Sequence, residues 1–330
     1  MEGFEERVAA VAELLRGGKN VVLYVGAGAS ASAGVPTFHG TNRAESLLDV
    51  REDHLVFPNF THRACKALLE RGVASFAVSS NHDGLLAGDN VVEIFGSVLT
   101  ETCLSCKQRF RRQFAPPPLN RKCECGGKLK KTGCRYGQTI YRPGLDRATA
   151  AADSAEVALV LGSGMHTWPL AAGPDGFPMR AKHVVLVTLG ETAADGNARV
   201  DRFDCACDDF MRALMRRLEV PVPPGVFEQH FAVRWRRSGG QLVVAADADA
   251  QETLVFAHEG TVNGEELERS QLSHTLGAVV AAAPQLLVRL RPRAAFGAAA
   301  AQPVELLVPV PAGEERGETR DCFRVEFPDE

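Results

Sequence analysis

The chain has 330 residues, 45% of them hydrophobic and 24% charged, with a formal net charge of −4. That length allows two or three domains with separate cores. The composition is that of a globular protein, the mild acidity argues against broad electrostatic binding of nucleic acid, and no run of about eighteen apolar residues suggests a membrane span.

Val8, Val11, Ala12 and Leu15 recur at helical spacing, and Gly17-Gly18 ends the pattern. Glu2, Glu5, Glu6 and Glu13 at the N-terminus argue against a secretory or mitochondrial presequence and for an intracellular, soluble protein of nucleus or cytoplasm. Val21–Val25 then reads as a buried strand running into Gly26-Ala27-Gly28-Ala29-Ser30 and a small-residue helix start. Glycines there let backbone approach a pyrophosphate, and a helix start offers N–H groups and partial positive charge. The pattern departs from the six-residue dinucleotide fingerprint, so alone it is weak.

Residues 41–73 read as a helical insertion, with helical periodicity in Arg63–Leu69. Ala74–Val78 and Val91–Ile94 are the next strands, separated by Ser80-Asn81-His82-Asp83-Gly84. From residue 101 to 132 the periodic hydrophobics give way to cysteines, basic residues and three successive prolines. Helical and strand patterns return with Arg147–Ala152, Val157–Leu161 (ending in Gly162-Ser163-Gly164), Val184–Thr188 and the amphipathic Asp208–Leu218.

Pro221-Val222-Pro223-Pro224-Gly225 stops helix and strand alike. Beyond it Phe231, Val233 and Trp235 alternate with Ala232, Arg234 and Arg236, a turn at Ser238-Gly239-Gly240 leads into Leu242–Ala246, and Leu286–Leu290 and Phe323–Phe327 repeat the period of two. Ala294–Ala301 reads as a loop. The expected organisation is a Rossmann-like α/β fold with a doubly wound parallel sheet over residues 1–100 and 133–220, interrupted by a zinc-binding insertion at 101–132. A C-terminal antiparallel, sandwich-like β domain follows at 226–330.

Nine cysteines without a signal peptide point to reduced thiols or a metal. Cys103 and Cys106 form one close pair and Cys123 and Cys125 another, a set that can surround a tetrahedral, structural Zn2+. The second pair has one intervening residue where two are usual, and Cys134 could replace one member. Cys65, Cys205, Cys207 and Cys322 read as small buried hydrophobes. Arg109, Arg111, Arg112, Arg121, Lys122, Lys128, Lys130 and Lys131 make a basic patch, read as a solvated surface in preference to a nucleic-acid site.

In this order the motifs resemble the sirtuins, the NAD-dependent protein deacylases and ADP-ribosyltransferases, and most of all their chromatin-associated nuclear and nucleolar subgroup. The resemblance spans roughly residues 5–220 and implies an NAD+ site in a cleft beside the Rossmann-like sheet. It assigns Gly26, Ala27 and Gly28 to the phosphate turn, Phe38 to the nicotinamide-side ribose, and Asn81 and Asp83 to ribose and nicotinamide, with Ser80 beside them a cofactor-binding candidate where the family has glutamine. Gly162 and Ser163 fall to the adenosine side, with Asp208 and Asp209 on the last adenine-side segment.

The catalytic half departs from the family. In Glu93-Ile94-Phe95-Gly96, Phe95 stands where the family carries the histidine that takes a proton from the ribose hydroxyl. A phenyl ring cannot, and loss of a general base forfeits on the order of 10²–10⁴-fold in rate. Thr37, His39, Ser80, Leu86, Gln138 and Thr188 are further departures. The expected protein is therefore a degenerate sirtuin: a scaffold or NAD/ADP-ribose-binding subunit with weak or no deacylase activity. Its partners would be proteins docked through the β domain or the basic zinc insertion. The alternative is an active deacylase or ADP-ribosyltransferase acting on acyl-lysine protein with a displaced base, for which His82 is a candidate and His39 a second; His166 reads as a plain surface residue.

Overall fold

The computed structural model describes residues 2–35, 56–112, 122–134, 137–248, 256–269, 276–292 and 304–327. These fall into two compact units, one made of the described residues up to Arg111 and from Lys122 to Gly225, the other of Arg112 and Val226 onward.

The first unit opens with helix α1 (Glu2–Gly17), strand β1 (Val21–Val25) and a 3-10 turn at Ala27–Ala33. Next come α2 (Phe60–Glu70), β2 (Phe76–Ser79) and β3 (Val91–Glu93). Three short strands follow, β4 (Thr100–Cys103), β5 (Arg109–Arg111) and β6 (Leu129–Lys131). The unit closes with α3 (Arg142–Ser154), β7 (Val157–Leu161), β8 (His183–Val187), β9 (Val200–Phe203) and α4 (Cys207–Leu218).

Six of these strands form a parallel sheet in the order β3-β2-β1-β7-β8-β9. Side chains alternate across a strand, so β1 splits its residues between two cores. Val21, Leu23 and Val25 pack with Leu159 and Leu161 under α1, α2 and α4. Val22 and Tyr24 pack on the opposite face with Val78, Val160 and the α3 alanines Ala148 and Ala152. Strands covered on both faces read as unbroken apolar runs, which is why β1 and β7 are plain in the sequence. The order reverses between β1 and β7, so their carboxyl ends flank a topological switch point, where open α/β sheets place ligands.

Strand β4 holds a separate antiparallel sheet, β5-β4-β6. Its apolar core is only Cys103, Cys123 and Leu129 with Phe110 beside them. The basic patch is not all solvated. Arg111 pairs with Glu93 at 3.5 Å and donates to the Gly84 carbonyl, and Arg112 is buried.

The second unit is all β among its described residues. A five-stranded sheet runs β14-β15-β11-β10-β18 and a four-stranded sheet β13-β12-β16-β17. Their strands are β10 (Gly225–Ser238), β11 (Gln241–Ala248), β12 (Phe256–Val262), β13 (Glu265–Glu266), β14 (Glu268–Arg269), β15 (Leu276–Ala281), β16 (Gln285–Pro292), β17 (Val304–Pro309) and β18 (Arg316–Phe327). Burial follows the period of two: Phe231, Val233, Trp235, Leu242, Val244, Leu286, Val288, Leu290, Phe323 and Val325 are inside.

Several expectations need correction. α3 begins at Arg142, five residues before the periodic stretch, because Pro143 is tolerated in a first helical turn. Strand β9, the short strands β4–β6 and, in the β domain, β12–β15 and β17 were not expected. Cys205 and Cys322 are partly exposed where buried thiols were expected, whereas Cys65 and Cys207 are buried. Phe38, Thr37, His39, Arg121, the 41–55 part of the helical insertion and the Ala294–Ala301 loop lie outside the described residues.

Candidate cofactor and catalytic site

The two turns at the switch point touch backbone to backbone. The Gly26 N–H donates to the Leu161 carbonyl at 2.9 Å and the Gly28 N–H to the Gly162 carbonyl at 2.8 Å. A Cβ on Gly26 would lie 2.7 Å from the Gly162 oxygen, and one on Gly28 would lie 2.9 Å from the Gly162 Cα. Gly162 itself sits at φ +65°, and its Cβ would lie 1.9 Å from the Ala29 nitrogen. Glycine at these three positions is therefore what lets the loops cross.

A buried polar cluster braces this crossing. Asn81 donates through Nδ2 to the Gly26 carbonyl and to the Ser30 hydroxyl, both at 3.0 Å. Ser30 donates to Asp83 Oδ2 at 2.7 Å, and Asp83 Oδ1 accepts the Leu85 N–H at 3.0 Å. His62 completes the cluster, with Nε2 3.1 Å from the Ser30 hydroxyl. It enters from the third helical residue of α2, whose N-terminus is capped by Asn59 accepting the His62 N–H. Its Nδ1 is buried with no hydrogen-bond partner. Burial pushes the His62 imidazole below its ordinary range, outweighing the opposite pull of Asp83 and Asp208.

Sequence reasoning missed His62. Its signal was there in part: it shares the apolar face of α2 with Cys65 and Leu69, at spacings of three and seven.

Asp208 is placed at the start of α4, where its carboxylate suits the helix dipole. It accepts the Thr61 N–H at 2.9 Å, the Thr61 hydroxyl, and the Ser32 hydroxyl at 2.8 Å. Asn59 Nδ2 also donates to the Ala29 carbonyl and the Ser32 hydroxyl, each at 2.7 Å. The glycine loop, α2 and α4 thus share one network. Ser80 turns back to the Val25 carbonyl, the Ser163 hydroxyl accepts the Met165 N–H, Thr188 is buried at the end of β8, and Leu86 joins the core under α1.

Phe95 lies one turn beyond β3, its ring packed against the apolar cluster of Val78, Ile94 and α3. The His82 ring is 6.2 Å away, tilted by 60°. His82 Nε2 is buried without a partner, and burial holds this imidazole below its ordinary range against nearby carbonyls of Cys134 and Phe95. The Glu93 carboxyl is pushed up by burial, with Arg111 opposing.

The four cysteines of the small sheet converge. Sγ atoms of Cys103, Cys106, Cys123 and Cys125 all lie within 4.8 Å of one another, with Cys103–Cys125 at 3.5 Å and Cys106–Cys123 at 3.6 Å. Tetrahedral Zn–S bonds of about 2.3 Å put sulfurs about 3.8 Å apart, so the set fits Zn2+. Burial works against the Cys103 thiolate, but the N–H groups of Cys106 and Ser105 and the neighbouring thiols outweigh it and bring the thiol down to about 6. Four protein ligands leave no open position, which makes this a structural zinc site. Cys134 is outside the cluster; its N–H donates to the Phe95 carbonyl at 2.8 Å.

The sequence profile of the Sir2 family matches residues 44–169. An NAD-dependent protein deacylase of Thermococcus kodakarensis is 30% identical over 217 residues, covering 54% of this chain and 83% of that protein. The chain belongs to the Sir2 family. Human NAD-dependent protein deacetylase sirtuin-7 is 29% identical over 67% of this chain and 62% of its own length. The deacetylase SRT1 of Arabidopsis thaliana is 27% identical over 67% and 51%. The chain thus spans between half and two thirds of the length of these two relatives. A solved Sir2 homolog–NAD complex superposes with a TM-score of 0.53 at 26% identity, over 64% of this chain and 93% of that one. Among the described residues no helix is long and apolar enough to cross a membrane.

Proposed function

We propose that this Sir2-family chain binds NAD+ or ADP-ribose at the β1–β7 switch point and has given up lysine deacylation, acting as a binding subunit or scaffold. The observation that carries this reading is Phe95. At the position where the resemblance places the general base there is a phenyl ring, packed into the core cluster beneath it. The glycine crossing, Asn81 and Asp83 supply the residue types the family uses toward the dinucleotide, so the binding half fits the cofactor. Asn81 and Asp83 are meanwhile engaged with Gly26, Ser30 and Leu85. The β domain or the small zinc sheet would dock protein partners.

Calorimetry with NAD+ and ADP-ribose, with loss of the acyl group followed on an acyl-lysine peptide, tests the reading. The expected result is binding without deacylation. Phe95→His should then raise deacylation by about 10²–10⁴-fold, the usual worth of a general base. NAD+-dependent deacylation by the unmodified chain that Gly28→Val abolishes would overturn the proposal.

A second reading, an active deacylase or ADP-ribosyltransferase, is favoured by one observation. The His82 ring lies 6.2 Å from that of Phe95, and its Nε2 is buried without a hydrogen-bond partner, so a candidate base sits next to the position the resemblance gives to the general base. Turnover that survives His82→Ala would remove that mechanism.

A further inference from the structure

Glu228 and His230 are two residues apart on β10, and their neighbours Phe227, Gln229 and Phe231 are buried, so both side chains stand on the outward face. β18 is the adjacent strand in the same sheet, and its Phe323 and Val325 point inward, which sets Cys322 on the outward face as well. The carboxylate, imidazole and thiol donors of these three residues lie within 4.8 Å of one another.

We propose that the outward face of β10 and β18 carries a second metal site, in which Glu228, His230 and Cys322 bind a borderline divalent cation of the zinc type. The donor set selects that class: a thiolate and an imidazole are poor ligands for Mg2+ or Ca2+ and good ones for Zn2+. The geometry is close to what the ion needs. Zinc bond lengths of about 2.0–2.3 Å put tetrahedral donors about 3.3–3.8 Å apart. The Glu228 Oε1 to His230 Nε2 distance is 3.3 Å. The remaining closure is side-chain rotation, because the strand ladder fixes the backbones.

Arg324 competes for Glu228. Arg324 lies 3.8 Å from Glu228 Oε2, but it also donates to Glu326 at 2.9 Å, so it keeps a carboxylate when a metal takes Glu228.

The two sites differ in kind. The four-cysteine site is closed and holds together a sheet with hardly any core of its own. The β10–β18 site has three protein ligands and leaves a fourth position for water or for a donor from another molecule. It is not needed to join its strands, which share a ladder and a buried inner face, so its loss should leave the fold intact.

The test is zinc stoichiometry of the full chain under reducing conditions, by competition with a colorimetric chelator. The expected result is two equivalents. Cys322→Ser and His230→Ala should each weaken the second by at least the 10–100-fold that loss of even an outer ligand partner costs, leaving the first unchanged. Cys106→Ser should do the reverse. With zinc in the four-cysteine site, added Co2+ should give a sulfur-to-cobalt charge-transfer band that Cys322→Ser removes. One equivalent in the unmodified chain, or a second that survives both β-domain substitutions, would overturn the proposal and leave Glu228–His230 an ordinary surface ion pair.

Discussion

Gly162→Ala is the sharpest probe of the switch-point crossing. Two costs add at this residue. An L-residue at φ +65° sits in the left-handed region, at about 1–2 kcal/mol. The new Cβ would also lie 1.9 Å from the Ala29 nitrogen and 2.4 Å from the Gly28 carbonyl carbon, both backbone atoms that no rotamer change can move. Forcing the loops apart is overpacking, at about 1–3 kcal/mol. Together they come to about 2–5 kcal/mol, or a fall in Tm of about 4–20 °C for a unit of this size. Gly190→Ala is the control. It has φ +79° in the same unit and nothing within 4 Å of a Cβ, so only the conformational cost applies. A Trp235→Phe background leaves Trp168 as the sole tryptophan, and thermal melts followed by its fluorescence then report the first unit alone. Equal losses for the two glycine variants would refute the claim that close approach of the loops, and not only the backbone angle, demands glycine at 162.

Chelation of zinc, or Cys106→Ser, should release the amide protection of β4–β6 while β1 and β7 stay protected, because only the small sheet lacks an apolar core; hydrogen exchange by mass spectrometry reads this directly. His62 has a folded pKa below its unfolded value of about 6.5, so as pH falls through that value the unfolded chain takes up a proton that the native chain refuses. Stability of the first unit should therefore drop from pH 7 toward pH 5. His62→Gln should flatten that slope, and urea midpoints with identical pH slopes would contradict the assignment. His82 titrates in the same direction, which is why the comparison of slopes matters more than the slope itself. Asp208→Ala removes a carboxylate that holds the N-terminus of α2 through Thr61, and should lower stability by about 1.5–3 kcal/mol in denaturant unfolding.

The parts of this fold that were legible in the sequence are those with a strong local period. β1 and β7 are five-residue apolar runs, buried end to end, and α4 carries Phe210, Leu214 and Leu218 on one side. β9 escaped notice because it is the sheet's edge strand: of Val200-Asp201-Arg202-Phe203 only Phe203 is buried. The start of α3 was hidden by Arg142-Pro143-Gly144, which reads locally as a breaker. In the site, the glycines and the Asn81–Asp83 segment stood out because their residue types are unusual in regular structure. His62 did not, since a histidine on an apolar helical face carries no sign of what lies across the contact. Cys322 was invisible for the same reason: its neighbours Glu228 and His230 are more than ninety residues away in the chain and adjacent only through the ladder of β10 and β18.

The two halves of the proposed site are held by unlike contacts. Gly26, Gly28 and Gly162 admit no Cβ because each faces the other loop's backbone. Ser30, Asn81, Asp83 and His62 are hydrogen-bonded in a buried cluster, where removing one member leaves its partners unpaired at about 1–3 kcal/mol per group. The residues that the resemblance assigns to the cofactor are thus also tied into the fold by their own contacts. Phe95 is held differently: its ring packs on apolar residues and beside the His82 ring, and its carbonyl accepts the Cys134 N–H as any residue's would. A histidine at 95 could be exchanged at little cost to the fold, whereas the glycine turn could not. Calorimetry on the chain itself separates the two roles of the turn, in folding and in binding NAD+. If calorimetry finds none, the switch-point cluster is a structural keystone, and function moves to the surfaces of the small zinc sheet and the β domain.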